Sequence, residues 1–258
     1  RERRHEDSGL MAEPTIKIEH ASYVITLDPE RRIIADGSLL IKGRHLVKVG
    51  KASELRDVMA DRIIDAHNKV VTPGLTNGHL HISYAHATRG IFPDDLGPDY
   101  LPNVFKLQSE MTEEEEYYTS LLAITESVKY GTTSILDPGS TKYLDACMQA
   151  YRESGCRIII GQQVTDRANP LNIPVWTTED AKSSMERVIC SYDHLLNDRV
   201  RAWAMPFSAN YASDNLLLAA KGLADRYGTG LTIHHINTPT TVKRSIEENG
   251  LRPIEHLE

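Results

Sequence analysis

The chain has 258 residues, 40% of them hydrophobic and 25% charged, with a net charge of -7. That is enough apolar material for a large core in one or two domains. The acidic balance argues against nucleic acid as a partner, and no apolar run approaches the ~18 residues of a membrane-spanning helix. Three widely spaced cysteines, Cys147, Cys156 and Cys190, with no apolar stretch after the charged first residues, read as reduced thiols in a cytoplasmic protein.

In chain order, residues 1–12 read as a disordered leader or tag, beginning with the mixed charges of Arg1 to Asp7. Residues 13–72 alternate short apolar runs with turn residues, which predicts strands over 16–20, 23–27, 38–42, 45–50, 62–65 and 69–72. A helix is expected over 52–60, and the whole segment reads as a meander or small β-sandwich. After Pro73 the rhythm becomes strand, loop, helix. Thr112-Glu113-Glu114-Glu115 is a capping box with a solvated acidic first turn. It opens a helix to about Tyr130 whose expected buried face is Tyr118, Leu121, Leu122, Thr125 and Val128. Strands follow over 132–137, 157–161, 200–205 and 231–236. Helices are expected over 141–153, where Cys147 should be buried, and over 179–196. Another follows Ser213 and carries Leu216, Ala220, Leu223 and Tyr227, and a last one spans 240–248. Serial βα units with apolar strands predict a parallel sheet and favour a (β/α)8 TIM-like barrel. Residues 73–258 supply about five units, fewer than the roughly 250 residues of a full barrel accommodate, so the expectation is a truncated barrel.

The most informative run is Val71-Thr72-Pro73-Gly74-Leu75-Thr76-Asn77-Gly78-His79-Leu80-His81. Side chains alternate along a strand, so His79 and His81 share a face and can converge on one ion. Imidazole is the commonest ligand for zinc and related metals. The segment Pro-Gly-Leu-Thr-Asn-Gly-His-Leu-His resembles the first barrel strand of the amidohydrolase superfamily, in its cytosine deaminase and s-triazine hydrolase branch.

That resemblance implies a third histidine ligand at the end of strand five, where Thr232-Ile233-His234-His235 stands. Alignment points to His234, with His235 expected on the opposite face. The metal set is then His79, His81 and His234 on one divalent ion, zinc or iron. Three imidazoles leave a position for water, whose pKa an ion lowers from about 15.7 toward 7. Strand four carries no lysine, which favours a mononuclear site. The family's further histidine and its aspartate base fall outside these residues, so no catalytic acid or base is assigned and the chain alone is expected to be inactive.

Two positions depart from the deaminase pattern. Asn237 stands where many relatives carry a glutamate, and Phe207 where nucleobase deaminases carry a histidine. Phe207 and Asn237, with Tyr84 and His86 after strand one, are the expected substrate contacts. His86, Arg89 and Asp137 also have structural readings. The expected activity is metal-dependent hydrolysis of a small C–N, C–S or C–halogen substrate of apolar character: an amide, carbamate, thiocarbamate or heteroaryl compound. The alternatives are an aminohydrolase acting on a heterocycle and a non-catalytic fragment acting in assembly. The partners expected are a small-molecule substrate and either a second copy or a complementing C-terminal segment.

Overall fold

The structure, a computed structural model, describes residues 13–139, 142–171, 173–236 and 238–258. The leader expected over 1–12 lies outside the described residues. The chain divides into two compact units, Arg1–Pro73 and Gly74–Glu258.

The first unit is one five-stranded mixed sheet. Strand β1 (Thr15–Ile25) pairs antiparallel with β2 (Ile33–Lys42), which pairs antiparallel with β3 (His45–Lys51). On its other edge β1 takes β4 (Arg62–Asp65) and then β5 (Val70–Val71), both parallel. The two strands expected over 16–20 and 23–27 are thus one. The register slips between Ile18 and Ala21, and His20 sits there with φ +58°, a bulge that lets the strand bend without ending. Ala21, Val24, Leu39 and Ala66 form the unit's small core. Where a sandwich is expected, the described residues form a single sheet, because β4 and β5 return to the free edge of β1 and do not stack on it. The helix expected over 52–60 is a single 3-10 turn at Ala52–Leu55, which buries Ala52 and Leu55.

The second unit is α/β. Strand β6 (Leu75–Asn77) is followed by helices α1 (Ala85–Thr88), α2 (Tyr100–Glu110) and α3 (Glu113–Lys129). Then come β7 (Thr132–Leu136), α4 (Leu144–Ser154), β8 (Arg157–Ile160), β9 (Gln163–Val164), α5 (Thr178–Tyr192) and the short α6 (Leu195–Asp198). The chain continues through β10 (Val200–Ala202), β11 (Met205–Pro206), α7 (Asp214–Tyr227), α8 (Pro239–Asn249) and α9 (Pro253–Leu257). The sheet order is β10-β8-β7-β6, all parallel, with β11 beside β9 as a second parallel pair. Tyr151, Ile158, Ile160, Met185 and Leu216 are fully buried between helices and sheet, each contributing roughly 1.5–3 kcal/mol of transfer free energy.

Several sequence expectations are corrected here. Strands three and four are each broken in two. Gly161 lies at the first break, where a Cβ would come within 2.5 Å of the Met205 side chain and 2.6 Å of the Trp203 carbonyl, so only glycine lets the two chains bend together. Among the described residues, the backbone of 231–236 pairs with the strand-four segment at two isolated bridges, Ala204–Leu231 and Ser208–His234, and forms no ladder. The helix expected to reach residue 196 stops at Tyr192, because Asp193 turns out to bind the Arg201 guanidinium and the Ala202 N–H at 2.8 and 2.9 Å.

On α3 the capping box forms as expected, Thr112 accepting from the Glu115 N–H and donating its own N–H to Glu115 Oε2. The buried face, however, is Glu116, Ser120, Ala123 and Ile124, while Tyr118, Leu122 and Val128 are exposed. Small residues let α3 approach α4 closely, and Glu116 reaches across to accept the Lys142 and Tyr143 N–H groups ahead of α4. Cys147 is buried, as expected. On α7, Leu216, Ala220 and Leu223 are buried and Tyr227 packs at the core's edge. No helix among the described residues is long and apolar enough to cross a membrane.

Candidate metal centre

His79 and His81 follow β6, and His234 follows β11 in space, its N–H donating to the Phe207 carbonyl at 3.0 Å. Among the described residues, these three histidines are the one group of three or more His, Cys, Asp or Glu side chains whose ligating atoms all lie within 4.8 Å of one another. Ring centroids are 5.1–5.2 Å apart for each pair.

Each ring's tautomer follows from what its outer nitrogen meets. His81 Nδ1 donates to the Gly139 carbonyl at 2.9 Å, and His234 Nδ1 donates to the Phe207 carbonyl at 3.1 Å. The proton is thereby fixed on Nδ1 in both rings, leaving the Nε2 lone pairs facing each other at 3.2 Å. Two opposed lone pairs repel, and a shared cation converts that repulsion into ligation. The spacing suits it, since about 3.4 Å is the edge of a tetrahedron with bonds of about 2.1 Å.

Burial disfavours the protonated form of the two inner ligands. Burial, together with the neighbouring His234 and His79, takes the His81 pKa down to about 3. Burial first, then His79, lowers that of His234 as well. His79 is the exposed member, its N–H held by Asn77 Oδ1 at 3.0 Å. An open cleft of about 250 Å³ is lined by His79, Pro138, Thr232, Ile233, His234 and His235. His235 is therefore on the cleft and not on the opposite side. The strict alternation expected of a strand fails because the segment is not a continuous one.

Aromatic rings continue outward from the triad. Tyr84 lies 5.0 Å from His81 and Phe207 lies 5.4 Å from His234, centroid to centroid. Phe105 of α2 joins them, 6.1 Å from Tyr84 and 5.9 Å from Phe207. Sequence reading missed Phe105, which stands in an amphipathic helix with nothing local to link it to the histidines. Leu171 and Phe207 complete the buried cluster with Phe105.

His86 is brought elsewhere. Its Nε2 pairs with Glu126 on α3, and Arg89 donates to both Glu126 oxygens at 3.0 and 3.1 Å. The Arg89 and His86 hydrogen bonds pull the Glu126 carboxyl down to about 2. Asp137 is wholly buried and raised to about 7 by desolvation, accepting from the Gly139 N–H and the Tyr151 hydroxyl. Asn237 lies outside the described residues.

A profile of the amidohydrolase family matches residues 70–258. The chain belongs to the amidohydrolase family. Among curated proteins, this amidohydrolase is 29% identical to a 5'-deoxyadenosine deaminase of Methanobrevibacter smithii, over 96% of the chain and 54% of the relative. It is also 29% identical to a 5-methylthioadenosine/S-adenosylhomocysteine deaminase of Syntrophobacter fumaroxidans, over 91% of the chain and 52% of the relative. Among solved structures it shares its fold with atrazine chlorohydrolase of Arthrobacter aurescens TC1 complexed with zinc, at TM-score 0.80 and 24% identity, covering 94% of this chain and 57% of that one. The chain spans about half the length of the curated relatives it matches.

Proposed function

We propose that the full-length protein is a divalent-metal-dependent hydrolase that displaces a substituent from an electrophilic carbon of an apolar nitrogen heterocycle. The observation that carries this is the triad itself: three imidazoles whose ligating nitrogens lie within 4.8 Å of one another, beside the Tyr84–Phe105–Phe207 aromatic cluster. His79, His81 and His234 would hold the ion, with zinc favoured over iron by the zinc in the atrazine chlorohydrolase structure. The bound ion would supply the acidification of water. The Gly139 and Phe207 carbonyls hold the Nδ1 protons of His81 and His234, and the buried aromatic cluster behind those rings keeps their surroundings apolar.

Sequence features alone admit amides and carbamates. The relatives' names, two nucleoside deaminases and a triazine chlorohydrolase, favour a heteroaryl substrate. Loss of ammonia is the second reading, supported by the deaminase names. The resemblance of the histidine run supports reading the parallel sheet as part of a (β/α)8 barrel. The further histidine and the aspartate base would then come from outside this chain. Leu75 at the sheet-edge strand β6 is exposed, and a complementing segment of the longer protein would cover that edge.

The test offers zinc-loaded full-length protein 5'-deoxyadenosine and a chloro-s-triazine, reading released ammonia and chloride. Turnover of one of them, lost in His79→Ala and His234→Ala, is the expected result. Turnover retained in His79→Ala would contradict the assignment.

A further inference from the structure

The end of β7 leads into Asp137-Pro138-Gly139, a segment that lines the cleft with Pro138 and meets His81 through the Gly139 carbonyl. Asp137 is 1% exposed, and no substrate or ion reaches its carboxylate. Its oxygens are fully engaged with neighbours. Oδ1 accepts the Gly139 N–H at 3.1 Å and Oδ2 accepts the Tyr151 hydroxyl of α4 at 3.2 Å, while the Ile82 backbone N–H also donates to the carboxylate. Ile82 is the residue after His81. One buried carboxylate therefore ties together the chain that carries His81 and the turn whose Gly139 carbonyl receives the His81 Nδ1 proton at 2.9 Å.

The same turn reaches the second buried ligand. Gly139 has φ +90°, and a Cβ there would meet Gln163 Cβ at 2.8 Å and Gln163 N at 3.0 Å. The missing side chain lets Gln163 sit close, and the Gln163 amide lies 3.4 Å from His234 Nδ1. Backbone strain and steric fit thus demand glycine at the turn that orients His81 and backs the Gln163 side chain beside His234.

Resting on the metal-centre reading above, we propose that Asp137 is a positioning residue for the metal site. It holds the Gly139 carbonyl and the His81 backbone in register, so that His81 presents Nε2 to the ion in one orientation. Its role is mechanical. The Gly139 N–H it accepts and the Gly139 carbonyl that orients His81 belong to different peptide units, so the carboxylate fixes position and does not relay charge. Partners that orient a ligating histidine typically change metal affinity by about 10–100-fold when removed.

The experiment uses the full-length protein loaded with Co2+, whose visible spectrum reports ligand geometry, together with zinc affinity by chelator competition. Tyr151→Phe removes one bond to the carboxylate and leaves Gly139 held. It should lower the melting temperature while leaving the cobalt spectrum and zinc affinity as in wild type. Asp137→Ala should weaken zinc about 10–100-fold and alter the cobalt spectrum. Asp137→Asn should restore much of both, with its amide oxygen toward Gly139 and its NH2 toward Tyr151 Oη. If Asp137→Ala does not fold, Gly139→Ala is read in its place, and an unchanged spectrum there overturns the proposal. Wild-type affinity in Asp137→Ala would overturn it, as would a Tyr151→Phe spectrum displaced as far as that of Asp137→Ala. Wild-type protein that takes up neither metal would overturn the metal centre itself and this proposal with it.

Discussion

Phe207 does two separable things, and one substitution divides them. Its side chain is buried at 6% exposure, packed on Phe105 at 5.9 Å, Tyr211 at 6.1 Å and His234 at 5.4 Å between centroids. Its main-chain carbonyl accepts from both the N–H and Nδ1 of His234. Phe207→Ala removes the ring and leaves the carbonyl. Deleting a buried aromatic costs about 3–5 kcal/mol. At ~2–4 °C per kcal/mol for a unit of this size, the melting temperature should fall by roughly 6–20 °C. Zinc affinity should stay at the wild-type value, because the tautomer of His234 depends on the carbonyl. Binding of a heteroaryl substrate should weaken, seen as a raised KM. The assays are a thermal melt, a chelator competition for zinc and steady-state kinetics on the full-length protein. A melting shift under about 3 °C would refute the packing argument. A loss of zinc affinity beyond about tenfold would refute the division of labour.

Two further outcomes are expected. In metal-depleted protein, His81 stays neutral in the fold down to about pH 3, while the unfolded chain takes up its proton near 6.5. Stability from this group is therefore complete above pH 6.5 and drains as pH falls toward 3, by about 1.4 kcal/mol per unit. Asp137, raised from 3.8 to about 7, has the opposite slope, gaining stability on acidification across that window. Urea titrations of wild type and His81→Asn from pH 7 to pH 4 separate the two: the stability difference, wild type minus variant, should fall steadily as pH drops, and parallel curves would contradict the burial of His81. Glu126→Gln should leave zinc affinity unchanged, since Glu126 and its partner His86 belong to α3 and α1 and not to the triad; a marked loss in the chelator assay would return His86 to the site.

Much of the site is legible in the sequence because it is local. The i, i+2 spacing of His79 and His81 needs only a strand end to make them ligand candidates, whereas His234 is found through the family resemblance of the first run. What was not legible depends on contacts between distant segments. Gly139 meets His81 through its carbonyl, the Gln163 amide lies beside His234, and Phe105 packs on Tyr84 and Phe207, the rings that neighbour His81 and His234. Hydrophobic periodicity found α3 and placed Leu121 against the core, but put the centre of the stripe wrongly, because the helix buries alanine, serine and even a carboxylate, Glu116. The strand predicted over 231–236 failed for a related reason. Apolar composition signals burial, but among the described residues the backbone there pairs at two isolated bridges, so His235 is not held to the far face.

The central claim is that His79, His81 and His234 hold one divalent ion, and X-ray absorption at the zinc edge of the full-length protein tests it most directly. The account predicts one zinc per chain with imidazole nitrogens at about 2.0–2.1 Å, and loss of that imidazole signature in His81→Ala. A spectrum dominated by sulfur near 2.3 Å, or an unchanged imidazole shell in His81→Ala, would contradict it.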